Sequence, residues 1–318
     1  MRTYALRRLL LMLPTLFGLS VILFILVRLI PGDAALLKMA GGDVTFNNPA
    51  ALAELRHQMG LDLPIPVQFA IWLAGVIRGD LGQSVWSGRP VVSEIADRLP
   101  VTAELALGSI VLSLVIGVVV GVVAAVHQDR PADYVGRLFG VFGVSIPAFW
   151  VGTVVIVMPA VLWGYLPPLG FVSPADDLWG NLRQFIGPWL ALGWALSASI
   201  MRITRSQMLE VLGQDYVRTA RAKGLSELMM LARHALKNAL IPIITIAGLQ
   251  VGFLIGGTVV VETVFGLPGL GSLTLQAVMQ RDYQLIQGTV LLLALAFVLI
   301  NLIVDLSYGW LDPRIRYA

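Results

Sequence analysis

Six apolar runs, each about as long as a helix that crosses a bilayer, constrain this chain of 318 residues more than any other feature. A spanning helix needs about 20 consecutive, mostly apolar residues. The composition agrees, with 57% hydrophobic residues, 13% charged residues and a mean hydropathy of +0.83, values typical of polytopic membrane proteins. The predicted spans are residues 9–30, 101–126, 135–162, 185–203, 239–261 and 285–306. The sequence therefore predicts an all-α integral membrane protein with six transmembrane helices.

The fourth predicted span, 185–203, is the weakest of the six. Pro188 and Gly193 interrupt it, and Arg202 ends it early. Proline and glycine are both poor residues for a helix interior. We therefore expect this span to be short.

Charge and cysteine content exclude several function classes. The formal net charge is only +3, and the Lys and Arg residues are spread between apolar runs, which is unlike a nucleic-acid-binding surface. The chain contains no cysteine, which excludes disulfides, iron–sulfur clusters and a thiol nucleophile.

The basic residues of the short connections predict the orientation in the membrane. Residues 163–184 and 262–284 contain one basic residue each, whereas residues 202–238 contain seven. Cytoplasmic loops carry the excess of Lys and Arg. We therefore expect the segment 202–238 and both termini to lie in the cytoplasm.

The segment 31–100 is too long for a plain connection between two spans. Apolar residues at helical spacing predict one amphipathic helix around residues 51–59 and a second around residues 67–76. We expect three regions: a tail and first span (1–30), an external helical subdomain (31–100) and a core of five spans (101–318). The external subdomain either covers the bundle or docks another protein.

The basic segment 215–226 (DYVRTARAKGLS) lies between two apolar runs. Arg and Lys at the centre of a bilayer cost roughly 2.5–3.5 kcal/mol each, so this helix-forming segment must lie at the membrane surface. Gly224 can end its helix in a left-handed cap. A soluble partner could bind such a segment, although a merely solvated basic loop would show the same charges.

Short motifs along nearly the whole chain resemble permeases of the dipeptide/oligopeptide/nickel family of ABC importers, and those for dipeptides or glutathione in particular. They are MGLDLP (59–64), RGDLGQS (78–84), GRPV (88–91), RLP (98–100), SIPAFW (145–150), YLPP (165–168), VVETVF (260–265) with PGLG (268–271), and LDPRIRY (311–317). Each motif is weak alone, but together they occur in the order that the family has.

The resemblance implies the type I ABC importer permease fold and a transport subunit rather than an enzyme. The implied partners are a homologous second permease, two cytoplasmic ATPase subunits that bind ATP and Mg, an extracytoplasmic substrate-binding protein and membrane lipid. The implied location is the bacterial inner membrane, and the implied cargo is di- or oligopeptides. Glutathione is a narrower expectation, because residues 248–262 and the Arg-Tyr tail look close to glutathione permeases.

The segment 215–226 resembles the coupling loop of that superfamily, whose general pattern is Glu-Ala-Ala, three residues and then Gly. Here Arg218 and Thr219 depart from that pattern, and the distance from Gly224 to Pro242 exceeds the usual spacing. The resemblance assigns coupling to the ATPase subunit to Arg218, Thr219, Ala220, Arg221, Lys223, Gly224, Leu225 and Ser226.

The fifth span carries glycines every four residues, at 248, 252 and 256, a spacing that lets helices approach closely. Tight packing is one interpretation, and a helix that slides beside the translocation path is the other. Polar groups within spans are functional candidates. The predicted path residues are Pro147, Gln250, Gly252, Gly256 and Glu262.

Other chemistry finds little support in the sequence. There is no G-x-x-x-x-G-K-[ST] phosphate loop, so we expect no ATP site and no other cofactor in this chain. His57, His127 and His234 lack metal-ligand spacing, no catalytic group stands out, and GLPGLG (266–271) predicts a turn. Two alternatives stay open: an importer of a metal chelate such as nickel, and a secondary transporter driven by an ion gradient.

Overall fold

The computed structural model describes residues 2–29, 35–36, 39, 49–58, 60–168 and 170–311. Helices dominate these residues, and their one pairing of extended backbone is an isolated bridge between Gln83 and Pro90. The predicted all-α fold class is thereby confirmed. The tail motif at residues 312–317 lies outside the described residues.

Twelve α-helices and one π-helix follow each other over the described residues. They are α1 (Arg2–Leu29), α2 (Pro49–Gln58), α3 (Ile65–Ile77), α4 (Val91–Val126), α5 (Pro131–Ser145), α6 (Ala148–Trp163), α7 (Leu178–Leu212), α8 (Asp215–Ala222), α9 (Glu227–Met230), the π-helix Leu231–Leu236, α10 (Lys237–Phe265), α11 (Leu270–Gln280) and α12 (Tyr283–Leu311).

Five stretches of helix in the described chain are long and apolar enough to cross a bilayer. They are Leu10–Leu29, Val91–Val126, Leu178–Leu212, Glu227–Gly252 and Tyr283–Val304. Two sharply bent helix pairs pass the same test together, so the count rises to seven if each pair forms one span. The predicted six spans fall within that range.

The third predicted span, 135–162, is wrong as a continuous helix. It is divided into α5 and α6, which meet at an angle of 101°. Ile146 is extended (φ −90°, ψ 122°) and Pro147 precedes the first residue of α6. A proline disfavours helical backbone in the residue before it, which explains a break at this point.

The predicted early end of the fourth span is also wrong, because α7 runs for 35 residues through Pro188 and beyond Arg202. Pro188 is buried, and a Cβ added at Gly193 would lie 3.2 Å from the carbonyl oxygen of Ser109. Tight packing of this kind lets membrane helices retain such residues. Further along, an ion pair between Arg205 and Asp133 stabilises the polar end of α7.

The chain forms two compact units, each with its own core. One unit comprises Val101–Leu267 and Leu299–Ala318, and the other comprises Arg2–Pro100 and Pro268–Val298. Phe185, Ile200 and Ile243 are among the buried residues of the first core, and Val27, Val91 and Leu273 belong to the second.

Both helices predicted for the segment 31–100 are confirmed, as α2 and α3. Within the same unit, the fully buried carboxylate of Asp282 accepts hydrogen bonds from the Ser84 hydroxyl (2.6 Å) and the Val85 N–H (2.8 Å). The Trp86 indole N–H donates to the Gln280 carbonyl at 2.8 Å. These contacts fix the loop before α4 on the end of α11.

Candidate coupling segment and translocation path

The predicted coupling segment is a short helix with one deep anchor. In α8 only Val217 is buried, and it is fully enclosed in the first core. Ala220, three residues later, packs against the same core. Residues three apart lie on one face of a helix, so this face is fixed to the core while the remainder faces outward.

The exposed residues of α8 and its C-cap residue include the basic side chains. Arg218, Arg221 and Lys223 are all exposed. Arg218 lies 3.6 Å from Asp215, and Arg221 lies 3.0 Å from Glu227 at the start of α9. Lys223 takes part in none of the ion pairs formed by the described residues. The segment therefore presents positive charge that is only partly neutralised.

The end of α8 is a Schellman motif. Gly224 has φ +78°, its N–H donates to the Arg221 carbonyl at 2.9 Å, and the Leu225 N–H donates to the Ala220 carbonyl at 3.4 Å. These are the two hydrogen bonds that define the motif. Because left-handed backbone costs a residue with a side chain roughly 1–2 kcal/mol, glycine suits this position. Ser226 then precedes α9 as its N-cap residue.

Two exposed apolar residues beside α8 were missed by the sequence reasoning. The side chains of Leu228 and Met229 in α9 are 79% and 50% exposed, whereas the next residue, Met230, is fully buried. Their only signal in the sequence is that they begin a run of four large apolar residues, 228–231, after the polar segment. No feature of the sequence indicated the π-helix Leu231–Leu236 that follows.

The predicted path residues lie in different environments. Pro147 is exposed at the bend between α5 and α6. Gln250 is half-buried, and its side-chain N–H₂ lies 3.5 Å from the Leu196 carbonyl of α7. Gly252 is buried, and the surroundings of Gly256 lie outside what the structure describes. A Cβ at Gly248 would collide with Val304, so this part of the glycine stripe serves helix packing.

Glu262, the last of the predicted path residues, is fully buried. The Thr102 hydroxyl donates to its carboxylate at 2.7 Å. This contact joins α10 to α4 within one unit. A buried carboxylate is costly unless it is hydrogen-bonded, so Thr102 and Glu262 depend on each other.

The residues at 266–271 form the predicted turn. Gly266 (φ +64°) ends α10 and Gly269 precedes α11. The chain between these two glycines is therefore not helical, as the motif predicts.

Two of the three histidines make local contacts. His57 bonds the Asp62 carboxylate at 2.7 Å, which raises the pKa of the imidazole, and His127 Nδ1 lies 3.0 Å from the Val123 carbonyl oxygen. Among the described residues, no three His, Cys, Asp or Glu side chains are grouped to hold a metal ion.

Comparison with known families gives matches over both parts of the chain. The family described as "Binding-protein-dependent transport system inner membrane component" matches residues 117–317. The family of N-terminal parts of such membrane components matches residues 1–106. The two matches leave residues 107–116 and residue 318 outside.

Similar proteins and solved structures agree with that match. Glutathione transport system permease protein GsiC of Salmonella choleraesuis is 44% identical over 317 residues, and that of Escherichia coli K12 is 43% identical over 318; both alignments cover 100% of each chain. A chain of the MetNI methionine ABC transporter has a TM-score of 0.55 and 20% identity, covering 70% of this chain and 97% of that chain. A chain of an amino acid ABC transporter has a TM-score of 0.52 and 15% identity, covering 69% and 94%. At these identities the likeness to solved structures concerns the fold.

Proposed function

The chain belongs to the family of binding-protein-dependent transport system inner membrane components, and from this membership we propose that it is the permease subunit of an ATP-driven ABC importer for small peptides. The similarity of its fold to that of two ABC transporter chains supports this proposal. The full-length similarity to glutathione permeases makes glutathione the first substrate to test.

The structural observation that carries the proposal is the anchored helix α8. Its exposed residues Arg218 and Arg221, and Lys223 at its C-terminal end, are available to a partner, while Val217 is enclosed in the core of the first unit. A displacement imposed on α8 by an ATPase subunit would therefore move that core. The Schellman motif at Gly224 holds the end of the helix in one conformation, which suits a mechanical contact.

The proposed assembly contains a homologous second permease, two ATPase subunits and an extracytoplasmic binding protein. ATP and Mg would be bound by the ATPase subunits, so this chain would act as a transport subunit without catalytic residues of its own. The proposed location is the bacterial inner membrane with both termini in the cytoplasm. Reporter fusions after Arg316 and within 210–230 should then read cytoplasmic, and fusions within 40–95 should read external. A cytoplasmic reading from 40–95 would overturn this orientation.

The transport activity can be tested on the reconstituted complex. This chain, co-expressed with its partner subunits, should take up labelled glutathione or dipeptides into proteoliposomes only when ATP and the binding protein are present. Uptake of a nickel chelate but of no peptide would show that the substrate is a metal chelate and not a peptide. Uptake by this chain alone under a proton or sodium gradient would favour a secondary transporter instead.

We also propose that α10 lines the translocation path when the importer changes state, with Pro147, Gln250, Gly252, Gly256 and Glu262 along it. A sparse polar lining in an apolar wall would hold a peptide weakly enough to release it. Gln250 is the best placed for a test, because its side-chain oxygen is buried without a hydrogen-bond partner. Movement of α10 would allow water or substrate to reach it.

Single-cysteine labelling tests this assignment in the cysteine-free chain. A small water-soluble thiol reagent should label Gln250→Cys in at least one nucleotide state of the complex. Ala198→Cys, at a fully buried core position, serves as the unreactive control, and Ser87→Cys, at an exposed loop position, as the reactive one. Absence of labelling at positions 248–258 in every state would reduce α10 to a packing element.

A further inference from the structure

A cleft of about 610 Å³ lies between α5 and α7, apart from the residues proposed for coupling and transport. It combines two kinds of lining. Arg137, Arg202 and Arg205 contribute charge, and Val141, Val144 and Met201 contribute apolar surface. All of these residues belong to one compact unit.

The arginines of the cleft are unequal in their ion pairing. Arg205 binds the fully buried carboxylate of Asp133 through two hydrogen bonds of 2.6 and 2.8 Å. Arg137 lies 3.3 Å from Asp133 and 3.6 Å from Asp129. Arg202 is exposed and takes part in none of the ion pairs that the described residues form. Three cations therefore face two carboxylates, and one positive charge is left over.

The apolar part of the cleft continues along an exposed face of α5. Val141 and Val144 are 61% and 57% exposed, and their neighbours Leu138 and Phe142 are exposed to a similar extent. Gly140 keeps the wall recessed, since a Cβ there would lie 2.5 Å from the terminal methyl of Met201. Such a surface within membrane-spanning helices fits hydrocarbon rather than water.

We propose that this cleft binds an anionic phospholipid. The headgroup phosphate would bind Arg202, with Arg137 beside it, and the first part of an acyl chain would lie along Val141 and Val144. Basic pockets between transmembrane helices are known sites for anionic headgroups. A free phosphate would satisfy the arginines but would leave the apolar wall unused, which is why the lipid is the favoured occupant. The assignment requires only that these helices cross a membrane, so it stands or falls separately from the transported substrate.

Native mass spectrometry of the detergent-purified complex tests the proposal. Titration with phosphatidylglycerol should give a bound lipid that phosphatidylcholine does not replace. Arg202→Gln should weaken phosphatidylglycerol binding about fivefold, the effect of removing one basic contact. Arg233→Gln, which removes an exposed basic residue outside the cleft, should leave it unchanged. Equal effects of the two variants would overturn the assignment.

A second measurement identifies the occupant directly. A benzophenone attached to Val144→Cys should cross-link phosphatidylglycerol, and Arg202→Gln should reduce the yield. A cross-link to the second permease instead would show that the cleft is a subunit interface and would overturn the proposal. Displacement of the bound lipid by millimolar inorganic phosphate would show a free-anion site and would overturn it as well.

Discussion

The coupling segment 215–226 and the helix α10 were both singled out by polar residues among apolar runs, yet they use those residues in opposite ways. In the coupling segment Val217 is buried and the charges face outward. In α10 the carboxylate of Glu262 is turned inward, where Thr102 donates a hydrogen bond to it. One region leaves its charged groups exposed, and the other uses its carboxylate inside the chain.

The difference follows from the cost of desolvation. An exposed arginine keeps its hydration until a partner binds, so the proposed docking of α8 would need no rearrangement. A buried carboxylate must keep its hydrogen-bond donor at all times. If α10 lines the path as proposed, the carboxylate of Glu262 becomes accessible when α10 and α4 move apart.

The largest effect is expected where the buried pair is broken. Thr102→Val removes one hydrogen-bond donor from the buried carboxylate of Glu262, which should destabilise the complex by about 1–3 kcal/mol. Glu262→Gln retains an acceptor oxygen and should cost less. Unfolding of both single variants and of the double variant gives the coupling energy.

Thr153→Val is the matched control for the Thr102 and Glu262 variants. The Thr153 hydroxyl bonds the Phe149 carbonyl within its own helix and is exposed, so its loss should change stability by less than about 0.5 kcal/mol. If Thr102→Val changed stability as little as Thr153→Val does, the hydrogen bond from Thr102 would not stabilise the buried carboxylate of Glu262. The contrast between the two regions would then weaken.

An intermediate effect is expected at Gly224. Gly224→Val forces a β-branched residue into left-handed backbone at a cost of about 1–2 kcal/mol, enough to weaken docking roughly tenfold. A Cβ at this position would meet no atom within 4 Å, so conformation alone would cause the effect. Transport per ATP hydrolysed should fall accordingly.

Gly213→Val supplies the comparison for Gly224. Gly213 precedes the same helix with φ −77° and is exposed, so an ordinary side chain fits its backbone. Normal coupling in this variant combined with loss in Gly224→Val would assign the effect to the helix end. Normal coupling in both would remove the role of Gly224.

The sequence predicts where helices occur better than where they break, as four prolines illustrate. Pro100, Pro159 and Pro188 lie inside helices that continue through them, whereas Pro147 follows a 101° bend. All four weaken local hydrogen bonding in the same way. Whether a membrane helix breaks depends on neighbouring packing, which a single sequence does not contain.

The candidate site also has features that the sequence predicts and features that it does not. Exposed features of α8 depend on local rules, and the left-handed conformation of Gly224 was anticipated for that reason. The pairs Thr102–Glu262 and Asp133–Arg205 join residues 160 and 72 positions apart. No local pattern links such residues, so only the fold reveals them.

The smallest effect is expected from single charges on the coupling segment. Lys223→Gln removes an exposed cation that takes part in none of the ion pairs of the described residues. An exposed ion pair with an ATPase subunit is worth at most about 1 kcal/mol. The affinity for the ATPase subunit should therefore fall by at most about fivefold. Arg221→Gln should change affinity less, because Arg221 already has Glu227 as a partner.

Salt dependence separates these charge effects from structural damage. At 1 M salt the Debye length falls to about 3 Å, so the difference between Lys223→Gln and the unaltered chain should vanish in an ATPase-binding titration. Lys237→Gln, an exposed lysine outside the segment, should behave like the unaltered chain at every salt concentration. A Lys223→Gln defect that persisted at 1 M salt would mean that the side chain acts by packing. The coupling segment would then act through packing inside the chain, as α10 does, and the contrast between the two regions would not hold.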